Sequence, residues 1–370
     1  MLQMGKAKDR TNGGQRLQRI LLEGAEASAL ERCGDAELLR TSGFDEAFWG
    51  ALDEGPIEEN LILVGHRAGA GEHEGWACQR LSVTPDFYRG RTDDAEGMAR
   101  HGGHIYVLGS HFGGRKGPLD PRRAFIARFE ESAARGALDG RSLNLAVRRT
   151  PFLIHRIVND ALQAASVELM PPGSDSRRAY IRATSKLGAK RNKQWAPQIA
   201  DGDLPINVEG FDLLDDGRAL LGLRFPCTAA GQPIILCVTG LPQLFEAAST
   251  PPSVESIYIL EQAGSKEQPA GVRALHRKGR TLHVVSGPVT HEKRDEPLAR
   301  DFPGTVERAC EHWELDLPAP ALVQHLRGKR LEEFDPGVLV EGLTQTAGGR
   351  FIYAVDSAKG IELQVASQPS

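Results

Sequence analysis

Short apolar runs separated by glycine-containing turns recur along this chain, and their alternation is that of strands rather than helices. Four segments align without internal gaps: DDAEGMARHGGHIYVLGSH (93–111), INVEGFDLLDDGRALLGLR (206–224), GVRALHRKGRTLHVVSGP (271–288) and VLVEGLTQTAGGRFIYAVDS (338–357). Each holds a strand-length stretch, a turn, and a second run rich in β-branched, aromatic and aliphatic residues. The turns contain Gly102–Gly103, Asp216–Gly217, Lys278–Gly279 and Gly348–Gly349, which supply the positive φ that tight hairpins require. Three copies carry Glu-Gly at their head: Glu96–Gly97, Glu209–Gly210 and Glu341–Gly342. A fifth, degraded copy begins at Glu26 (EASALERCGDAELLRTSG), with a Gly-Asp turn and a following strand.

Self-similarity of this kind predicts an all-β repeat fold, a β-propeller. At about 40–50 residues per blade, the intervals from Glu96 to Glu209 and from Glu209 to Glu341 each hold two to three blades, so six are expected within a range of five to seven. A non-repeating β-sandwich with chance Glu-Gly pairs is the alternative. Residues 150–165 have apolar positions at helical spacing after Pro151 and read as an inserted helix. Residues 306–313 read as a second, shorter one. The first fifteen residues and the closing SQPS read as disordered ends, leaving 16–366 as a single domain.

Composition narrows this picture a little. The 41 glycines and 22 prolines in 370 residues suit many short strands and turns. A net charge of −4 exerts no whole-chain pull toward nucleic acid or an anionic membrane. Five scattered cysteines, without a Cys-x-x-Cys pair, make neither a disulfide framework nor a zinc motif. The amino-terminal residues lack the apolar core of a signal peptide, and no window is apolar for long enough to span a bilayer. The expectation from these features is a cytoplasmic protein with reduced thiols and no membrane partner.

The repeat also says where polar groups should gather. In a propeller the first strand of each blade lines the axis, and its start meets the end of the second strand at one rim. The starts carry Glu96, Glu209 and Glu341; the ends carry Ser110–His111, Leu223–Arg224, Ser286–Gly287 and Val355–Asp356. Side chains two apart share a strand face, which sets Asp94 with Glu96 and Asn207 with Glu209, whereas Leu339 breaks the pattern. Carboxylates converging in a narrow channel repel one another, and a hard divalent cation such as calcium, held by Glu96, Glu209, Glu341, Asp94 and Asn207, would relieve that cost. In the bland alternative each Glu caps nearby backbone N–H groups and closes its blade. Arg115, Lys116, Arg122, Arg123 and Arg224 on the departing loops would receive an anionic group, or are ordinary solvated charges. A basic run, RRAYIRATSKLGAKRNKQW (177–195), has seven Lys or Arg and no acid. It reads as a solvated loop within 174–200, with nucleic-acid binding disfavoured by the acidic balance. The phosphate-loop-like GSHFGGRK, the pairs His101–His104 and His73–Glu74, and the strand thiols Cys227 and Cys237 carry no completing partners.

The phrases Asp94-Ala95-Glu96-Gly97-Met98, Gly109-Ser110-His111 and Leu223-Arg224-Phe225-Pro226 resemble those of an uncharacterised bacterial propeller family. That family is distantly similar to the esterase-like phytases and to gluconolactonase/regucalcin-type propellers. The resemblance covers residues 20–365 in scattered blocks and implies divalent-metal binding by Glu96, Glu209 or Glu341. The copy at Val272 lacks the acid, which breaks the symmetry of such a site. Two functions follow. One is a metal-dependent hydrolase of a phosphate ester or lactone, with His111 or Asp356 moving the proton and Arg224, Arg115 and Ser110 placing a small anionic substrate. The other is a non-catalytic scaffold that binds a protein partner.

Overall fold

The computed structural model describes residues 17–366 apart from 24–25, 53–54, 72–73, 87–90, 247–249, 291–295, 306–307 and 358–359. The expected disordered ends lie outside the described residues. The chain is mostly β, in five sheets of four or five strands. Sheet 1 runs from Ala27–Arg32 through Phe44–Leu52 and Leu61–Arg67 to Trp76–Arg80. Sheet 2 starts at Ala95–His101, sheet 3 at Asn207–Leu213, sheet 4 at Ala270–Lys278 and sheet 5 at Val340–Gln345. Each continues outward by antiparallel neighbours. Sheets 2 and 3 gain a parallel edge strand, Val83–Pro85 and Val323–Leu326. The outermost strand of sheet 5 is Leu17–Leu22, brought from the start of the chain to pair with Ile361–Ala366. The first sheet to form in sequence order is thereby tied to the last.

The five starting strands lie side by side in a ring, in the order sheet 1, 2, 3, 4, 5 and back to 1. Their close approach depends on small residues. A Cβ added at Gly97 would lie 2.4 Å from Cβ of Phe211, and one at Gly210 would lie 2.6 Å from Cγ of Leu275. Apolar layers fill the space between neighbouring sheets, for example Trp49, Leu63, Ile105, Val107 and Phe129 between sheets 1 and 2. The hairpin turns predicted from glycine adopt positive φ at Gly102, Gly103, Gly217, Gly279 and Gly349. The degraded copy is real as the first strand of sheet 1, but its Gly-Asp is not a hairpin turn. Asp35 instead caps a short helix, Ala36–Ser42, accepting hydrogen bonds from the Glu37 and Leu38 N–H groups.

Among the described residues the strands form five sheets, beside the six blades expected within a range of five to seven. Two expectations change. The stretch 306–313 is not a helix in its described part: Glu311–Asp316 is a strand whose His312 and Trp313 are buried beside sheet 4's second strand. The basic run is not a loop either. Residues Ser174–Lys190 are helical throughout, with an irregular wide turn at Arg177–Arg182. Tyr180, Ile181, Thr184 and Gly188 form its buried face. A helix at Leu153–Ala164 lies in the stretch expected to hold one. Together these helices cover the loops that leave the second strands, where Phe112, Phe225 and Val289 pack with Phe152, Tyr180 and Leu204.

Candidate functional site

Each of the five described starting strands contains a β-bulge at the equivalent residue. Pairing skips Ser28 between Ala27 and Ala29, Glu96 between Ala95 and Gly97, and Glu209 between Val208 and Gly210. It skips Arg273 between Val272 and Ala274, and Glu341 between Val340 and Gly342. A bulge re-aims the side chain it releases. Glu96, Glu209 and Glu341 accordingly line one narrow cleft with Leu30, Met98, Phe211, Leu275 and Leu343, whose cavity volume is about 10 Å³. That is about the size of a single water probe.

The fourth copy supplies the residue that decides the chemistry. Arg273 has no solvent exposure, and its Nη1 lies 2.8 Å from Glu209 Oε2 while Nη2 donates to Glu341 Oε1. Arg224 donates to the other oxygen of Glu209 and, through Nε, to the Val289 carbonyl at 2.9 Å. Burial alone would depress the Arg273 guanidinium. The carboxylates of Glu209, Glu341 and Glu96, with the Cys310 thiol, outweigh it and hold the group above its ordinary range. Asn207 does share the Glu209 side, its Nδ2 donating to Oε1 at 3.4 Å. Asp94 lies outside the lining of the cleft. Its backbone has φ of 64°, and Arg123 Nη1 lies 2.7 Å from its Oδ2, an arginine that also feels the Glu96 carboxylate.

A hard cation requires several carboxylate and carbonyl oxygens turned toward one point. Here the oxygens of Glu209 and Glu341 face a guanidinium, and among the described residues no group of three or more His, Cys, Asp or Glu side chains is arranged to hold a metal ion. The residues as placed do not fit calcium.

The expected proton-transfer and substrate groups differ in their surroundings. Ser110 and His111 are each 1% exposed. Ser110 Oγ accepts from the Phe112 N–H at 3.2 Å. Both His111 ring nitrogens lack a hydrogen-bond partner among the described residues, and burial, with His155 nearby, pushes its pKa down to about 3. It stays neutral and out of contact with solvent, unsuited to shuttling protons at neutral pH. Asp356 is half-buried, and its N–H donates to the Leu339 carbonyl at 2.8 Å. Arg115 is exposed on a loop resting against the helix at 177–190. Residues not singled out in the sequence include Arg273, Ser28 and a buried pair in which His155 Nε2 lies 3.2 Å from Asp203 Oδ2, with partly exposed Arg156 also reaching Asp203. Arg273 alone had a visible signal, since it stands where three other copies have Glu.

No family model matches the chain, and no curated relative matches it. Among solved structures, an exo-1,5-alpha-L-arabinanase from a bovine ruminal metagenomic library is similar over 92% of this chain and 94% of its own, at 10% identity and TM-score 0.35. A Trichoderma reesei carbohydrate-active enzyme of family AA12 is similar over 98% and 87%, at 10% identity and TM-score 0.36. The extracellular domain of a hybrid two-component system from B. thetaiotaomicron is similar over 96% of this chain, at 10% identity and TM-score 0.34; the chain spans about a third of that protein's length, 34%. The similar structures thus include enzymes, while nothing in the comparisons supports the phytase and regucalcin resemblance specifically. The cytoplasmic location is corrected: extracellular domains stand among the similar structures, so that expectation is not kept. Among the described residues no helix is long and apolar enough to cross a membrane.

Proposed function

We propose that the chain is a five-bladed β-propeller working as a binding scaffold, with its axis closed by an internal ion-pair ring and its working surface on the helical cover. The ring of five starting strands and the pairing of Leu17–Leu22 with the last sheet support the propeller reading. One observation carries the scaffold reading: Arg273 sits among the axial carboxylates and engages two of them. Substrate anions and metal ions compete poorly for groups already neutralised in a dry site. The test combines metal analysis of the purified protein with a phosphatase and lactonase screen of wild type and Glu209→Gln. The scaffold reading expects no stoichiometric divalent metal and no hydrolysis that the substitution removes. One bound calcium per chain, or an activity abolished in a folded Glu209→Gln protein, overturns it.

The convergence of three carboxylates on the axis favours a second reading, a hydrolase of a phosphate ester or lactone at this mouth. The same screen decides between the two.

A further inference from the structure

The helical cover carries a charge pattern that its own folding does not explain. Arg178, Arg182, Lys186 and Lys190 are all exposed and follow one another at every fourth residue, so they stand in a single row about 6 Å apart along the helix. Arg191 and Lys193, also exposed, follow just beyond the last turn. Like charges at this spacing destabilise a helix, and cations toward its N-terminal end oppose the helix dipole. Only part of the row is compensated. Arg178 pairs with Asp175 at 2.5 Å and Arg182 with Asp201 at 3.2 Å, whereas Lys186, Lys190, Arg191 and Lys193 form no ion pair among the described residues.

The opposite face of the same helix holds a neighbouring loop. Tyr180 Oη donates to the Arg115 carbonyl at 2.8 Å, and the Leu119 N–H donates to Thr184 Oγ1 at 2.9 Å. The helix is thereby fixed to the body of the protein on its buried side, and the row faces outward. A concentrated basic ridge results on a chain whose net charge is −4.

What such a ridge binds depends on what accompanies the charge. Single-stranded nucleic acid needs exposed rings for base stacking. The two aromatics of this segment are not available for it: Tyr180 is 1% exposed, and Trp195 packs edge-on against Phe152 at 4.8 Å. Membrane docking needs an apolar face on the same helix, but that face is spent internally on Phe112, Phe152 and Leu204. The exposed large apolar residues described are Leu21 and Leu322, both remote in sequence from the ridge. An extended peptide presents alternate side chains about 6.8 Å apart on one face, close to the spacing of the cations. We propose that the ridge formed by Arg178, Arg182, Lys186, Lys190, Arg191 and Lys193 docks an extended acidic segment of a partner protein. This inference rests on the scaffold reading and names its partner.

The experiment is fluorescence anisotropy on the full chain with three labelled probes. They are a 12-residue peptide with Glu at alternate positions, a peptide of the same length with Gln in their place, and a single-stranded oligonucleotide of equal charge. Binding of the acidic peptide alone is expected, weakening as salt rises. The double variant Lys186→Glu/Lys190→Glu should reduce its affinity about tenfold or more, in line with summed exposed-pair strengths. The paired control Arg40→Glu/Arg80→Glu, far in sequence, should leave it unchanged. Because both lysines are exposed, an unaltered circular dichroism spectrum accompanies the expected result. No binding at low salt, equal binding after reversal of the ridge, or tighter binding of the oligonucleotide overturns the proposal. Failure here leaves the metal and activity results standing, and a Glu209-dependent hydrolysis would sink the scaffold reading without altering the ridge titration.

Discussion

Replacing Arg273 with methionine keeps much of its volume and removes its charge, leaving Glu209, Glu341 and Glu96 around the axis with less compensation. Arg273 is wholly buried and bridges two of those carboxylates, and breaking a buried ion pair from one side costs about 3–5 kcal/mol. Glu209 keeps Arg224, which places the expected loss near the middle, about 4 kcal/mol at pH 7. Unfolding entropy of about 2.1 cal/mol/K per residue gives on the order of 0.8 kcal/mol/K for 370 residues, so Tm should fall by about 5 °C. The deficit has a pH signature. With the guanidinium gone, the crowded carboxyls hold their protons more tightly in the folded than in the unfolded chain, so the variant loses stability as pH rises above the ordinary carboxyl range and recovers it on acidification. Scanning calorimetry of both proteins at pH 5 and pH 7.5 reads this directly, and millimolar calcium should raise the Tm of the variant but not of wild type. Equal melting temperatures, or a difference that is the same at both pH values, would refute the idea that Arg273 is the counter-charge of the ring.

Two further outcomes follow from buried titratable groups. Burial, reinforced by the Asp212 carboxylate and opposed by Arg100, pushes Glu31 up to about 8; its folded value exceeds its unfolded one, so stability drains as pH climbs from the ordinary carboxyl range through about 8. Glu31→Gln should therefore gain on the order of 4–5 kcal/mol over wild type at pH 8.5 and almost nothing at pH 4, and urea midpoints that differ equally at both would exclude this. Burial likewise pushes the thiols of Cys33 and Cys227 up to about 12 and of Cys237 up to about 11. A thiol reagent at pH 8 should label these three only after unfolding, and their rapid reaction in the native protein would count against the packing described.

Much of the ring was legible because a repeat marks equivalent positions. Glu96, Glu209 and Glu341 head aligned copies, and the structure brings them to one cleft. The same alignment sets Arg273 at the equivalent place, but an alignment gives a position without its partners, so the copy reads as lacking an acid rather than as supplying the countercharge. The positive φ of Asp94 and the bulge at Glu96 are a different matter: local face rules assume unbroken strands, and neither departure has a signal in the sequence. His111 was placed at an open rim because nothing local announces that residues 153–190 fold over it. Those residues also occupy roughly a blade's length of chain, which makes six blades the natural count where five sheets form. The helical period of Tyr180, Ile181, Thr184 and Gly188 was hidden by the cations between them. Packing against Phe112, Phe152 and Leu204, with the hydrogen bonds to Leu119 and Arg115, makes that face a buried one.

The departure of one copy from the repeat is then intelligible as chemistry rather than decay. Among the described strands five bulges release side chains at equivalent positions, and five glutamates gathered there would carry a charge that a dry cleft does not tolerate without a bound cation. The chain places Ser at one position and Arg at another, and its arginine is the side chain whose planar fork can serve two carboxylates at once. Because Arg273 and Glu341 belong to adjacent sheets, and Glu209 to the sheet on the other side, their contacts cross two inter-sheet boundaries. A metal ion would cross them too, but only when available. A guanidinium built into the strand holds three of the five sheets in register through the chain's own covalent structure, and this is why the loss expected for Arg273→Met is one of global stability rather than of a local site.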